Sequence, residues 1–143
     1  MNAQRLRLAA AAIAALACLA APANAHAAPA APSLQASLSG TTINHSAVPL
    51  VWTGQGVVIN GEWGQKPTGV PAGARGGWTA VGNTSLTVRG LYTFGGTGYA
   101  VLFTAAAVPG QNTCQVLGPD GKPSDKYWCE TFSDIAGPQL VVG

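Results

Sequence analysis

The sequence has few charged side chains. Of its 143 residues, seven are basic and five are acidic, and together they make up 8% of the chain. Two of the basic residues, Arg5 and Arg7, lie in an N-terminal segment that we expect to be removed, which leaves five residues of each sign and no net charge. Nucleic-acid binders rely on an excess of Lys and Arg to contact phosphates. A neutral domain therefore predicts no nucleic-acid partner, and it argues against membrane attachment through a polybasic segment.

The groups that enzymes and metal sites use are scarce as well. The sequence contains two histidines, His26 and His45, and the expected mature chain contains two cysteines. His45 lies in a polar turn between candidate strands, and no nucleophile motif accompanies it. Two histidines and one cysteine pair are too few for a zinc site, and no glycine-rich phosphate loop leads from a strand into a helix. We therefore expect no catalytic residues, no metal and no cofactor.

The only long apolar run lies near the N-terminus. Residues 8–21 follow two arginines without a charge, and residues 23–25 (ANA) form an A-x-A cleavage site, which is typical of a secretory signal peptide. We predict cleavage after Ala25 and a secreted or periplasmic protein. Cys18 offers the alternative of a lipid-anchored lipoprotein, although the expected Leu three positions before it is missing. Residues 26–33, rich in Ala and Pro, predict a flexible tether, and no later segment is long and apolar enough to span a membrane.

The two remaining cysteines, Cys114 and Cys129, are expected to form a disulfide in an oxidising compartment. Their spacing supports the pairing, because the turn-rich residues 118–125 (GPDGKPSD) separate two strand-like runs. A hairpin with Leu117 opposite Lys126 would place the two cysteines opposite each other. Such a bridge closes a loop of about 15 residues and stabilises the fold by roughly 3 kcal/mol. The sequence contains no C-x-x-C motif, so we predict a structural disulfide.

The rest of the chain has the composition of a turn-rich β domain. All 19 glycines and nine of the ten prolines follow the signal segment, and no helical pattern is present from residue 34 onward. Residues 86–94 (LTVRGLYTF) alternate, which predicts a half-buried strand with Leu86 and Phe94 on its inner face. Asn60 and Gly61 predict either a tight turn or a bulge inside a strand.

Six to eight short strands separated by turns are typical of a β-sandwich. We therefore predict an all-β fold, a single small antiparallel β-sandwich over residues 34–143. The last segment, 139–142, either pairs at a sheet edge or frays. The other candidate strands are residues 34–43, 56–63, 78–81, 86–94, 99–106, 113–117 and 126–132.

A series of short motifs resembles the aegerolysin-like β-sandwich proteins, which include bacterial crystal proteins. The motifs follow one another between residues 57 and 116, about half of the expected mature chain. They are GEWG at 61–64, VPAG at 70–73, GWTA at 77–80, RGLY at 89–92, YAVLF at 99–103 and VPGQNT at 108–113. The sequence departs from the family at Arg89, where a Glu is usual, and in residues 103–109, which lack the usual acidic residue. The resemblance implies a secreted β-sandwich that recognises membrane lipid and in some cases recruits a second protein to make pores.

Aromatic side chains are the remaining candidates for a binding site. Trp63 and Trp78 flank the loop at residues 64–77, and Lys66 and Arg75 lie between them. Rings and cations in one loop suit a lipid interface or a platform that stacks on a sugar. We predict a binding site at Trp63, Lys66, Arg75 and Trp78. Membrane lipid is the leading expectation for its partner, and a glycan or a protein is the alternative.

The competing interpretation is that each tryptophan fills the core, where large aromatic side chains are usually found. The core is favoured for Trp63 and Trp128 because both are expected on strands. For Trp52 and Trp78, expected at strand edges, the sequence leaves both interpretations open.

Overall fold

A computed structural model describes residues 35–143, which form seven β-strands and no helix. The all-β prediction is confirmed, whereas the predicted signal peptide, Cys18 and the tether lie outside the described residues. The strands are β1 (Ala36–Asn44), β2 (Leu50–Gln65), β3 (Arg75–Phe94), β4 (Ala100–Ala106), β5 (Thr113–Leu117), β6 (Cys129–Asp134) and β7 (Gly137–Val142).

Strands β2 and β3 form a long antiparallel ribbon that bends in the middle. On the two sides of Asn60, the β3 partner jumps from Thr87 to Gly82, so that residues 83–86 have no partner in β2. Asn60 has a φ of 62°, and its side-chain amide donates a hydrogen bond to the Ser85 carbonyl at 3.2 Å. An irregularity of this kind bends a strand and increases its twist. Of the two structures predicted for Asn60, the tight turn is wrong: Asn60 lies inside β2, at an irregularity whose extra residues belong to β3.

The bend divides the sheet into two halves. In the first half, the second part of β3 pairs with the first part of β2 and with β4, and β5 follows β4. In the second half, the first part of β3 pairs with β1, and β7 and β6 follow. The β1–β7 pair is parallel, and the other ladders are antiparallel.

All seven strands therefore belong to one curled, mixed sheet that is nearly barrel-like. The two separate sheets of a sandwich are not seen among the described residues. The physical reason is the continuity of β3: the sequence predicted two strands at 78–81 and 86–94, and the structure joins them into one strand of 20 residues. Gly61 and Gly82 make the bend feasible, because a Cβ atom at either position would overlap the backbone of the other strand.

Strands β5 and β6 close the curl without pairing. The predicted disulfide between Cys114 and Cys129 is confirmed, with a Cα–Cα distance of 6.1 Å. The Thr131 hydroxyl donates a hydrogen bond to the Asn112 carbonyl at 3.2 Å, and the Asn112 amide donates one to the Ser133 hydroxyl. Side chains rather than a backbone ladder thus hold this seam, which we define as the contact between β5 and β6.

The predicted hairpin between the two cysteine-bearing runs is wrong. Strand β5 pairs with β4 and strand β6 pairs with β7, and Leu117 forms an isolated bridge with Pro123 instead of facing Lys126. The turn residues fold into a tight loop of their own, in which the Gly118 N–H donates to the Lys122 carbonyl at 2.8 Å. This loop leads the chain away from β5 before β6 begins.

The core lies between the two halves of the sheet. Alternation in β3 places Leu86, Val88 and Phe94 inside, as predicted. They belong to the same cluster as Leu140 of β7, which comes from the second half. Strand β7 lies between β1 and β6, so the last segment neither frays nor occupies a sheet edge.

Candidate functional site

The loop predicted to carry the binding site is fixed to the body of the protein. Pro67 and Val70 are buried. The Val70 N–H donates to the Leu50 carbonyl at 2.8 Å, and the Leu50 N–H donates to the Val70 carbonyl at 2.9 Å. Lys66 and Arg75, which stand at the two ends of this loop, are exposed.

A buried side chain provides the second attachment of this loop. Asn44 is fully buried, and its amide donates hydrogen bonds to the carbonyls of Val48, Val70 and Pro71 at 2.8, 3.1 and 3.2 Å. Its oxygen accepts hydrogen bonds from the Ser46 N–H and hydroxyl at 3.0 and 2.7 Å. Because every polar atom of the Asn44 side chain is satisfied, this network is a structural hub. The neighbouring His45 points into solvent, in agreement with a turn histidine.

The two predicted tryptophans lie mostly in the interior. Trp78 is only 3% exposed, and its indole nitrogen has no hydrogen-bond partner among the described residues. Its ring covers Gly40 of the neighbouring strand. Trp63 is half-buried and meets Trp78 edge to face, with 6.1 Å between the ring centroids. The structure therefore brings the two rings together beneath the surface, and only Lys66 and Arg75 of the predicted site face solvent fully.

Five rings form a closed circuit in the core. Trp52 contacts Trp63 and Tyr92 at 6.2 and 5.1 Å, and Phe103 contacts Trp78 and Tyr92 at 6.0 and 5.9 Å between centroids. With the Trp63–Trp78 pair, these contacts connect both halves of the sheet. Such aromatic pairs contribute about 0.5–1.5 kcal/mol each beyond the area that they bury. This set of tryptophans thus stabilises the fold.

Trp128, unlike the other three tryptophans, lies at the surface. The sequence favoured a core position for it, but it precedes β6 and is 47% exposed. Its ring covers Gly143, and its backbone exchanges two hydrogen bonds with that residue at 2.8 and 3.1 Å. The expectation of a core tryptophan is wrong here because the strand predicted to begin at Lys126 begins three residues later, at Cys129, which leaves Trp128 outside it.

One buried phenol is electrostatically perturbed. Tyr92 is 1% exposed, and its hydroxyl is 3.3 Å from the Thr42 hydroxyl. Burial raises the pKa of Tyr92 above its ordinary value, and the hydrogen bond with Thr42 opposes this increase in part. The group lies inside the aromatic circuit, where its role is structural.

An apolar surface that the sequence analysis did not identify lies on the first half of the sheet. Four of the nine exposed large apolar side chains share its convex side: Val51, Val57 and Ile59 on β2 and Leu102 on β4. The registers place them together, since Val57 pairs with Arg89, and Leu91 pairs with Leu102. We call this surface the outer face, and we define it by Val51, Val57, Ile59, Arg89, Leu91 and Leu102.

A groove of about 370 Å³ lies in the outer face. Its lining residues are Gln55, Gly56, Val57, Arg89, Gly90, Leu91 and Leu102. The groove is shallow and opens broadly to solvent. The insertion at residues 53–55 shapes one wall, because these three residues lie opposite Leu91 alone. The Thr53 hydroxyl fixes this insertion by donating to the Leu91 carbonyl at 2.9 Å.

The sequence contained one signal for this face. Its alternation in residues 86–94 already directed Arg89 and Leu91 outward, away from the core. The alternation cannot predict which residues of other strands lie beside these two. Val57 precedes its partner Arg89 by 32 residues, and Leu102 follows its partner Leu91 by 11 residues. Sheet register decides which outward side chains form one surface.

Within residues 35–143, no cluster of three or more His, Cys, Asp or Glu side chains suits a metal ion. The same part of the chain contains no helix of the length and hydropathy needed to cross a bilayer.

Comparison with known proteins gives no match to any family model and no match to a curated protein.

Proposed function

We propose that this protein is a secreted, disulfide-stabilised β domain of the aegerolysin-like kind that binds membrane lipid. Its contact surface is the outer face, rather than the loop between Trp63 and Trp78. In this proposal the two halves of the curled sheet correspond to the two layers of the sandwich that the resemblance implies. A second protein, recruited to make pores, belongs to the same proposal as a partner.

The observation that carries the proposal is the exposure of apolar side chains on one continuous face. Val57 is 51% exposed and Leu102 is 41% exposed, and the cross-strand pairs connect them through Arg89 and Leu91. Contiguous exposed apolar surface is typical of interaction sites on otherwise soluble domains. Removing such side chains from water yields about 25 cal/mol per Å².

A glycan platform is the alternative partner class, and the geometry favours lipid over it. Stacking on a sugar requires exposed rings. The rings of Trp52 and Trp63 meet at 82° and are half-buried, and that of Trp78 is buried. The outer face contains aliphatic side chains and no ring, which suits acyl chains and the glycerol region of a bilayer.

The test is co-sedimentation with liposomes, using protein whose N-terminus has been determined by mass spectrometry. The double variant Val57→Thr/Leu102→Thr places a β-branched side chain, which suits a strand, at both positions but removes apolar surface. We expect its vesicle affinity to fall at least about tenfold. Val81→Thr is the matched control, because Val81 is 43% exposed but lies on the other half of the sheet.

Two results would contradict the proposal. One is wild-type protein that pellets with none of neutral, anionic and sphingolipid-containing vesicles. The other is loss of binding in Lys66→Gln/Arg75→Gln with full binding in the Val57/Leu102 variant, which would return the site to the predicted loop.

A further inference from the structure

Among the described residues, Arg89 is the only charged one in the strands of the first half of the sheet. The strands β4 and β5 and the parts of β2 and β3 that pair with them contain no other Asp, Glu, Lys or Arg. By contrast, Lys122 and Lys126 share a loop with Asp120 and Asp125. Arg89 is exposed, and its direct cross-strand neighbours are Val57 and Thr104, neither of which carries charge.

The groove places this charge next to apolar surface. Arg89 lines it together with Val57, Leu91 and Leu102. The aliphatic part of an Arg side chain can cover such surface while its guanidinium stays in water. The guanidinium offers five N–H donors in a planar fork that matches phosphate and carboxylate oxygens, and it has no acceptor of its own. A cation above an apolar floor is complementary to an anionic head group attached to an acyl chain.

We propose that Arg89 binds the phosphate of an anionic phospholipid at a bilayer surface, while Val57, Leu91 and Leu102 contact the adjoining acyl region. This inference rests on the proposed function and deepens it, because it assigns the lipid class and the residue that selects it. A net charge of zero for the expected mature chain means that general attraction does not supply the preference. A single local contact between Arg89 and a phosphate supplies the preference for anionic lipid.

The experiment compares vesicles of phosphatidylcholine alone with vesicles that also contain phosphatidylglycerol. Wild-type protein should bind the anionic vesicles about fivefold more tightly, the effect of one basic residue near such a surface. Arg89→Gln should lose this preference and retain its binding to neutral vesicles. Arg89→Lys should keep most of the preference, because it retains the charge. The preference should weaken as ionic strength rises.

Arg75→Gln is the matched control, since it removes the same charge from an exposed position in the other half of the sheet. Equal unfolding midpoints for all variants show that binding differences are not folding differences. Loss of the preference in both Arg89→Gln and Arg75→Gln would overturn the assignment, because net charge would then explain it.

Three further outcomes distinguish a failure of this inference from a failure of the proposed lipid-binding function. Binding of wild-type protein to neither vesicle overturns the proposed function together with the inference. Equal binding of wild type and Arg89→Gln to both vesicles overturns the inference alone and leaves an apolar contact with lipid. If the protein binds monomeric lysophosphatidylglycerol saturably but binds no vesicles, the proposal that the phosphate belongs to a bilayer lipid is wrong.

Discussion

Gly40 of β1 and Trp78 of β3 are cross-strand partners, and the indole of Trp78 lies directly over the Cα atom of Gly40. A side chain at residue 40 would occupy the volume of the ring. Gly90 is likewise covered by the ring of its cross-strand partner Phe103, and Gly56 is covered by the ring of Trp52 from its own strand. Glycine on the inner face thus creates the space in which the aromatic circuit packs, which explains why so glycine-rich a chain can bury three tryptophans in part or in full.

The first prediction concerns this space. Gly40→Ala should lower the free energy of unfolding by about 1–3 kcal/mol, because the new Cβ forces the Trp78 ring out of position. Urea unfolding followed by tryptophan fluorescence measures the change. Gly77→Ala is the control, since its Cβ would meet only the Gly40 carbonyl at 3.9 Å. Equal stability of the two variants would show that the ring does not depend on Gly40.

The second prediction concerns the seam. Reducing the Cys114–Cys129 disulfide should destabilise the protein by roughly 3 kcal/mol, because the two cysteines have a sequence separation of 15 and no ladder joins β5 to β6. Unfolding curves with and without reductant measure the loss. The double variant Cys114→Ser/Cys129→Ser should be as unstable as the reduced protein and insensitive to reductant. A reductant effect that persists in this variant would have another cause.

The third prediction concerns the Asn44 hub, which holds the loop that connects β2 to β3 (residues 66–74). Asn44→Ala should cost about 3 kcal/mol, because it leaves the buried Ser46 N–H without its acceptor and removes the amide hydrogen bonds to the carbonyls of Val48 and Val70. Thermal unfolding measures the effect. Asn83→Ala removes an exposed side chain that accepts one hydrogen bond from the Ser85 N–H, and it should cost less than about 1 kcal/mol. A similar loss at both positions would contradict the role of the hub.

The fourth prediction concerns pH. Because burial raises the folded-state pKa of Tyr92 above its ordinary value of about 10, the unfolded chain releases this proton first as pH rises. The contribution of Tyr92 to stability is therefore complete below about pH 10 and is lost as pH rises towards the folded-state pKa. Tyr92→Phe should be less stable than wild type by about 1 kcal/mol at neutral pH, and the difference should narrow in alkali.

Denaturant midpoints measured from neutral pH to above pH 10 test this narrowing. Thr42→Val is the control: it removes the hydroxyl 3.3 Å from Tyr92 but keeps the phenol, so it should retain the alkaline loss of stability. A constant gap between Tyr92→Phe and wild type at all pH values would show that Tyr92 titrates identically in the folded and unfolded chains.

Local pattern and chemistry determined much of what the sequence predicted correctly. The alternation in residues 86–94 assigned the buried face of β3, and the Asn60–Gly61 pair marked a turn or a break in strand regularity, because both depend on neighbours within a few residues. The two cysteines of the expected mature chain left one intramolecular pairing, and it is the one that forms. The all-β class followed from the same local signals.

Only the tertiary structure decided which surfaces these elements make. Trp78 and Trp128 carry the same side chain, yet one is buried against Phe103 and the other is half exposed on Gly143. The outer face depends on registers that bring Val57, Arg89 and Leu102 together from three strands. Register and sheet curl depend on packing contacts between residues that are far apart in the sequence. A local sequence pattern therefore cannot predict them.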